Sequence, residues 1–527
     1  MDTLGPKHPL LGGPKPVSEK LTVVGFVDDV KGILTSVKEF DTLDNTLRSF
    51  ELATGSKLHR NAVSRKCNCL TLGKWSRWSQ ADSPLDYMAI VSEINMLGVT
   101  LTRSASKTRA ANGEELVKRV QRKLNVYRAG RLSPLTCKPH TANTYLLSKI
   151  SYRSGVVSLR ASDTRKLQSA LKQWVSQELL QKPAEVLLYR DKSEGGLELV
   201  NVAARANANL IKNFLDLGHP LSSSPSIYMK AVYSAFVLEE EDMQLLVKKP
   251  SFLPQLVYDT IREAWEEEGD LIARFTTKTW QERLTSRMFT HSRDPQTGLS
   301  LLIQTDQEKQ MQEVDWECCW VNARCPGLTP TQQSFLFKMV HGLLPFNERL
   351  LKFGLSQNNH CNFCGQKDDS CHFLQCQQAS GMGSQIRSFL QEATMEQKDI
   401  SWLHLRVLFF NLHPTLRLPA MVLTAELGLL ATHCRKRSKK LEPARLISTI
   451  RSRGKALGRT RKFQQASQVL LDWALEASST LHGLNVTSSS YDRSNSATEA
   501  SAGSPPRTPG WLPPSQAGTS LPSIPTI

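Results

Sequence analysis

Two groups of residues in this chain have the types and spacing that metal chemistry needs. The first is the pair Asp28–Asp29, which interrupts the hydrophobic run LTVVGFVDDVKGILT. The second lies in CNFCGQKDDSCHFLQC and contains four candidate ligands: Cys361, Cys364, His372 and Cys376. Carboxylates favour hard ions such as Mg²⁺, whereas thiolates and imidazoles favour Zn²⁺. The sequence therefore predicts one candidate Mg²⁺ site and one candidate Zn²⁺ site.

The paired acids have two interpretations. Asp is common in solvated hairpin turns, because it tolerates turn dihedrals and accepts hydrogen bonds from nearby backbone groups. The flanking residues Val24, Phe26 and Val30 instead indicate a largely buried hairpin. Two carboxylates there would repel each other and lose hydration unless a cation offset them. Two-metal polymerases use such acids together with one more carboxylate from a neighbouring strand.

The Cys/His group has the spacing C-x2-C-x7-H-x3-C. Cys361 and Cys364 fit one tight knuckle, and one helical turn directs His372 and Cys376 to the same ion. Cys371 is a spare thiol with poorer alignment. Four protein ligands predict a closed, structural Zn²⁺ site without an open position for catalysis. The alternative is a group of buried structural thiols.

Charge favours a polyanionic partner. The formal net charge is +17 and the pI is about 9.4, so nucleic acid is the natural candidate. Two basic runs lie at 434–440 and 451–462, and the first supplies four candidate phosphate-binding residues: Lys436, Arg437, Lys439 and Lys440. Such runs also serve as nuclear localisation signals or as solvated helix faces. Three tryptophans near basic residues could stack on bases or pack in a core: Trp75, Trp78 and Trp174.

The N-terminus has no basic region followed by an apolar core, so no signal peptide is expected. No apolar stretch reaches the length expected of a membrane span. The 11 Cys residues are then expected as reduced thiols or metal ligands. These features predict a nuclear and cytoplasmic protein without a membrane partner.

The elements that would position these residues form an α+β arrangement. Residues 21–52 predict strand, turn, strand and helix, two strand-like pieces follow at 69–73 and 95–102, and the chain is mainly α after residue 113. We expect seven regions: an irregular N-terminus (1–20), a strand-containing region with FVDD (21–112), a helical region (113–215), a mainly helical connector (216–330), a helix pair with the Cys/His motif (331–380), a basic helical region (381–480) and a disordered tail (481–527).

FVDD between hydrophobic strands resembles the Y/F-x-D-D palm motif of reverse transcriptases, in particular those of LINE-type (non-LTR) retrotransposons. Further segments resemble the same family in the same order: TGSKLHRN (54–61), MLGVTL (96–101), the helices at 113–180, KSEGGLELVNV (192–202), FLFKMVHGLLPFNERLLKFG (335–354) and the Cys/His cluster. In the first of these, His59 stands where the family usually has Asn. The last gap of the Cys/His cluster is shorter than in the family. The resemblance covers residues 21 to about 470.

The resemblance implies an RNA-directed DNA polymerase, a nucleotidyltransferase with a partial palm, a thumb and a zinc-binding region. Asp28 would bind catalytic Mg²⁺, Asp29 would support it, and Lys57 would lie near incoming phosphates. RNA and DNA, as template and primer, would be the partners. In the family, the fingers and the first catalytic Asp strand precede this motif, whereas the 27 residues before Asp28 contain no strand ending in Asp. We therefore expect a fragment that is inactive alone, with an upstream polymerase segment as a further partner.

Two other interpretations stay open at this point. The chain could be a non-catalytic nucleic-acid-binding protein derived from a mobile element. It could also be a decaying reading frame without a stable product. Nucleotide incorporation separates the enzyme from the binding module, and resistance to proteases separates both from an unfolded product.

Overall fold

The computed structural model describes residues 23–26, 29–34, 36–55, 57, 67–129, 134–177, 179, 185–221, 227–250, 253–289, 314–369, 372–376, 381–395, 407–408, 411–437, 439 and 441–491. Most of them are helical, and the strands are few and lie before residue 103. This agrees with the predicted α+β class, in which the chain is mainly α after its N-terminal region.

Three two-stranded sheets and one long helix form the N-terminal region. Strand β1 (Val23–Phe26) pairs antiparallel with β2 (Asp29–Gly32), and α1 (Lys38–Thr54) follows. Strand β3 (Cys67–Leu70) runs parallel to β4 (Met88–Val91). Strands β5 (Glu93–Met96) and β6 (Val99–Thr102) form an antiparallel hairpin. The two strands and the helix predicted for 21–52 are therefore present, whereas the turn residues 27 and 28 lie outside the described part. The strands do not join into one sheet within the described residues.

Residues 95–102 differ from the sequence-based expectation of a single strand-like piece. The chain reverses at Leu97 and Gly98, whose φ angles are 50° and 78°. Glycine adopts such angles without strain, and the Asn95 side chain accepts a hydrogen bond from the Gly98 N–H at 3.0 Å. Because of this left-handed turn, residues 95–102 belong to the two strands of a hairpin and not to one strand.

The first helical layer follows, and it begins earlier than the predicted residue 113. Its elements are α2 (Ala105–Ala129), α3 (Lys138–Thr141), a π-helical segment (Ala142–Leu146), α4 (Leu147–Val156), α5 (Ala161–Ser176), α6 (Glu185–Tyr189) and α7 (Val202–Gly218). Leu124, Leu146, Ile150 and Leu171 belong to one buried core in this layer. A second core forms where α7 packs with α8 (Ile227–Phe236), α10 (Gln255–Glu268) and α11 (Thr277–Phe289). The short helix α9 (Glu241–Leu246) lies against α8.

The last part of the chain is again helical. It contains α12 (Trp316–Ala323), α13 (Pro330–Val340), α14 (Asn347–Lys352), α15 (His372–Gln375), α16 (Met382–Ala393), α17 (Pro414–Lys436), α18 (Pro443–Gly458) and α19 (Gln464–Tyr491). Most of the described residues of the predicted helical region 381–480 are helical, in several separate helices. α19 continues past residue 481, where the predicted disordered tail was expected to begin, and residues 492–527 lie outside the described part. The described residues 472–491 belong to a second compact unit.

One close helix contact fixes how α13 meets α17. A Cβ atom added at Gly428 of α17 would lie 2.1 Å from the Phe335 ring of α13. The buried Gln332 side chain of α13 also donates to Glu426 of α17 at 2.7 Å. Only a residue without a side chain lets the two helices approach this closely. This pair of helices forms the base on which the Cys/His region lies.

Candidate metal centre

The hairpin that carries the paired acids is only partly described. Asp29 is the first residue of β2 and lies opposite Phe26, whereas Asp28 lies outside the described residues. Lys57 is exposed just after Gly55, which ends α1 in a left-handed conformation. The predicted Mg²⁺ site and the roles of Asp28, Asp29 and Lys57 therefore stay predictions.

The structure brings the four predicted Cys/His ligands together. The Sγ atoms of Cys361, Cys364 and Cys376 and a ring nitrogen of His372 all lie within 4.8 Å of one another. The Sγ atoms of Cys361 and Cys376 are 4.0 Å apart, and the Cys364 Sγ is 3.2 Å from His372 Nε2. Tetrahedral Zn²⁺ with bonds of about 2.0–2.3 Å needs ligand atoms roughly 3.5–3.8 Å apart. The cluster fits a metal ion such as zinc with little rearrangement.

A small hairpin positions the first two ligands. His360 and Lys367 form an antiparallel bridge, and the Cys361 N–H donates to the Gln366 carbonyl at 2.7 Å. The chain turns at Gly365, whose N–H donates to the Cys361 carbonyl at 2.9 Å and whose φ is 71°. This turn directs both thiols of the C-x2-C segment to one side, as the spacing predicts.

The short helix α15 positions the other two ligands. His372 begins it, and the N–H of Cys376 donates to the His372 carbonyl at 2.7 Å, so the two side chains are one helical turn apart. Phe373, between them, is buried and packs edge-on against Phe335 of α13, with ring centroids 5.7 Å apart. The metal-binding helix is thus anchored in the main core.

A buried ion pair between Asp368 and Arg435 joins the Cys/His cluster to α17. Asp368 is 1% exposed and lies 2.7 Å from the guanidinium of Arg435 on α17. The same carboxylate accepts from the backbone N–H of Asn347 at 3.0 Å, which ties it to the start of α14. Burial lowers the pKa of His372, and the Asp368 carboxylate opposes that shift. The net direction favours the neutral imidazole, which is the form that binds a metal.

Arg435 was not among the candidates in the basic run 434–440. No local pattern distinguishes it from Lys436 or Arg437, because its partner Asp368 is distant in sequence. The structure separates the roles: Arg435 packs over the Phe346 ring at 5.3 Å and pairs with Asp368, while Arg437 and Lys439 are exposed. Lys436 is the last residue of α17, and Lys440 lies outside the described residues.

The end of α17 connects this cluster to a basic surface. Both Arg437 and Lys439 donate their backbone N–H to the Cys434 carbonyl, at 3.2 and 3.0 Å. Cys434 and Cys376 line the same small cavity, together with Phe363, Phe373 and Arg435. The backbone of Arg437 and Lys439 therefore lies close to the four ligands.

Helix α18 extends the basic surface. Leu446, Ile447, Ile450, Gly454 and Leu457 form its buried side. Its opposite side is exposed and contains residues at spacings of three and four: Arg445, Ser448, Ser452, Lys455 and Arg459. We call these five residues the α18 basic face. None of its cations forms an ion pair within the described part of the chain, whereas Arg435 is neutralised by Asp368. Such a face suits contacts with successive phosphates.

The three tryptophans were predicted either to stack on bases or to pack in a core, and their surroundings differ. Trp174 is 2% exposed and belongs to the first helical core, so packing is its role. Trp75 and Trp78 are half-buried, with ring centroids 5.4 Å apart, and Lys74 lies over the Trp75 ring at 5.2 Å. These two keep partly open ring faces, and base stacking by them stays a prediction.

Helix α17 meets the length and composition of a membrane span over Pro414–Arg435, contrary to the expectation that no apolar stretch is long enough. However, 61% of its most apolar window is buried inside the fold. Its apolar residues pack against α13 and α16, which is typical of a core helix. Placement in the nucleus or the cytoplasm stays a prediction.

A scan against protein-family models finds no match to this chain, and neither does a search of the curated proteins.

Proposed function

We propose that this chain is part of an RNA-directed DNA polymerase of the LINE-type retrotransposon class, and that its helical C-terminal region binds nucleic acid next to a structural zinc site. The observation that carries the nucleic-acid assignment is the exposed α18 basic face, whose Arg445 lies near Cys434 in the wall of the cavity that Cys376 also lines. In this proposal zinc holds the hairpin and α15 in place, so that Arg437 and Lys439 keep a fixed position. The basic face then contacts the phosphates of RNA or DNA.

Zinc has a structural role in this proposal. The three thiols and His372 supply four ligands, which fill a tetrahedral shell and leave no position for a substrate. The ion would cross-link the hairpin at 360–367 to α15, two short elements that bury few apolar residues of their own. The residues of the chain do the rest: Phe373 anchors α15, and the Asp368–Arg435 pair ties the hairpin to α17.

Neutralising the α18 basic face tests the binding function. The variant Arg445→Gln/Lys455→Gln/Arg459→Gln is expected to weaken binding to a short RNA duplex and a short DNA duplex by about tenfold or more, and to lower the salt dependence. A matched control removes the same charge from three surface cations that have acidic partners: Lys212, Lys278 and Arg287. If both variants lose affinity equally, overall charge and not the α18 basic face drives binding.

The second candidate function is a binding module without chemistry. It is favoured by one observation, that β1 and β2 pair only with each other within the described strands. A polymerase site needs a third carboxylate on a neighbouring strand. We expect residues 1–527 to bind a primer–template but not to extend it. Extension that disappears in Asp28→Asn would instead make this polypeptide an active polymerase.

A further inference from the structure

The stretch between Glu115 and Asp163 has an unusual charge composition. It contains ten Lys or Arg residues and no Asp or Glu. It covers most of α2 and all of α3 and α4. Lys138 and Arg153 are buried, whereas Lys118, Arg128 and Lys149 are exposed. Exposed cations of this kind attract a polyanion.

One side of α4 and of the π-helical segment before it is exposed and carries aromatic rings. Tyr145 is 56% exposed and Tyr152 is 54% exposed, and the exposed Lys149 and Val156 share their spacing of three or four residues. We call these four residues the α4 tyrosine face. The leucine and isoleucine side chains between them, Leu146, Leu147 and Ile150, are buried in the first helical core. The two rings therefore stand on the outer side of the layer.

The back of α4 is held firmly by α7. Asn209 donates to the Ser154 hydroxyl at 2.9 Å, and Asn213 donates to the Gly155 carbonyl at 2.7 Å. A Cβ atom at Gly155 would lie 2.7 Å from the Asn213 amide, so the helices are in close contact. This contact fixes which side of α4 faces outward.

The tip of the β5–β6 hairpin fixes one of the rings. The Tyr152 hydroxyl donates to the carbonyl of Leu97 at 2.6 Å. Leu97 is 50% exposed and has a φ of 50°, a strained conformation for a residue with a side chain. A ring held at its hydroxyl end loses little further freedom when another flat group stacks on it.

Lys149 is the cation of the α4 tyrosine face, and further positive charge lies on the inner side of α4. Lys149 lies between the two tyrosines in sequence and forms no ion pair in the described part of the chain. The buried Arg153 reaches toward the Asn112 carbonyl of α2 at 3.5 Å, and the nearby Arg119 adds further positive charge. Glu115 lies 2.5 Å from Arg119 and is the acidic group beside this cluster.

From this geometry we infer that the α4 tyrosine face binds an unpaired nucleic-acid strand, whose bases stack on Tyr145 and Tyr152 while Lys149 contacts a phosphate. Exposed rings suit unpaired bases, because the faces of paired bases are already covered by their neighbours in a duplex. The inference rests on the proposed nucleic-acid function and adds a second site with a different strand preference. The α18 basic face has no aromatic residue and contacts phosphates only.

The test compares two forms of one RNA bound to the full chain. The probe is a short single-stranded RNA that carries 2-aminopurine, and the second form is the same strand annealed to its complement. Tyr145→Ala/Tyr152→Ala is expected to weaken single-strand binding by about tenfold or more and to abolish the stacking-dependent change in fluorescence. Duplex affinity should stay nearly unchanged. The single-stranded DNA of the same sequence should show the same loss, because stacking does not need the 2′-hydroxyl.

Two controls separate stacking from folding. Tyr145→Phe keeps the ring and should bind as the wild type does. Phe50→Ala removes a ring of similar exposure from α1 and should leave single-strand binding unchanged. Circular dichroism and thermal unfolding check that each variant is folded.

The outcomes distinguish the two proposals. If the wild-type chain binds neither form of the RNA at low salt, the nucleic-acid function fails and the tyrosine site fails with it. If the wild type binds but the double alanine variant keeps its single-strand affinity, only the tyrosine site is overturned. Equal losses for single strand and duplex would also overturn it.

Discussion

The four ligands of the metal centre are held in position by contacts with two residues that are distant in sequence, Arg435 and Phe335. Asp368 joins the hairpin to Arg435 and to the Asn347 backbone, and Phe373 joins α15 to α13. The ligands themselves follow from a local spacing, which is why the sequence predicts them correctly. Their supports cannot be predicted in the same way, because nothing within 434–440 marks Arg435 as the residue that faces inward.

Replacing one ligand should remove the metal. We expect Cys364→Ser to lose bound zinc and to lower the free energy of unfolding by on the order of 3 kcal/mol or more, because loss of a structural metal is among the costliest single changes. Zinc content by mass spectrometry and chemical denaturation measure the two effects. Cys137→Ser, at a half-buried thiol outside the cluster, serves as the control. Full zinc occupancy in Cys364→Ser would show that this thiol is not a ligand.

A buried histidine should make stability depend on pH. His341 is 4% exposed, lies against the Trp320 ring, and its Nε2 lies 2.9 Å from the Gly195 carbonyl, to which it donates as the Nε2–H tautomer. Burial lowers the pKa of His341 to about 4. The unfolded chain takes up this proton near pH 6.5 and the folded chain only near pH 4, so stability is lost as the pH falls through that window.

One variant measures how much His341 contributes to the pH dependence of the unfolding free energy. Between pH 7 and pH 5 the wild type should lose about 2 kcal/mol more unfolding free energy than His341→Gln, which cannot titrate. Urea denaturation at the two pH values gives the difference. Identical pH dependence in both proteins would mean that His341 is not kept neutral by the fold.

At the scale of elements, helices with a clear apolar period were predictable and their contacts were not. The pattern predicted mainly helical regions at 113–215 and 381–480, and most of the described residues in both are helical. The parallel pairing of β3 with β4 joins segments that share no local signal, and β4 itself was missed. The turn at Leu97 was also missed, although Gly98 is a sequence signal for it. The α4 tyrosine face was not predicted, because which side of α4 is exposed depends on its packing against α7.

The contact between α13 and α17 leads to a prediction about packing. Alanine favours a helix over glycine by about 1 kcal/mol, but a Cβ atom at Gly428 meets the buried Phe335 ring. We expect Gly428→Ala to be destabilising by about 1–3 kcal/mol, because the core must shift to admit it. In a Phe335→Leu background the same change should cost less or become stabilising. Thermal or urea unfolding of the four proteins gives the double-mutant cycle.

At the scale of the whole molecule, the net charge of +17 is not spread evenly. Acidic residues partner many of the cations on α10 and α11, whereas the α18 basic face has no ion pairs in the described residues. Two separate surfaces, one with exposed cations and one with exposed tyrosines, belong to different parts of the helical region. The composition predicts a polyanionic partner, and we propose these two surfaces as the places where it binds.

The central claim is that this protein binds nucleic acid through charged contacts on the α18 basic face. The most direct measurement is the affinity of the full chain for a short duplex at several salt concentrations, with and without the three α18 substitutions. We expect the logarithm of affinity to fall linearly with the logarithm of salt concentration, and the variant to show a slope smaller in magnitude by about 2–3. A wild-type affinity that does not change with salt, or a variant with an unchanged slope, would contradict it.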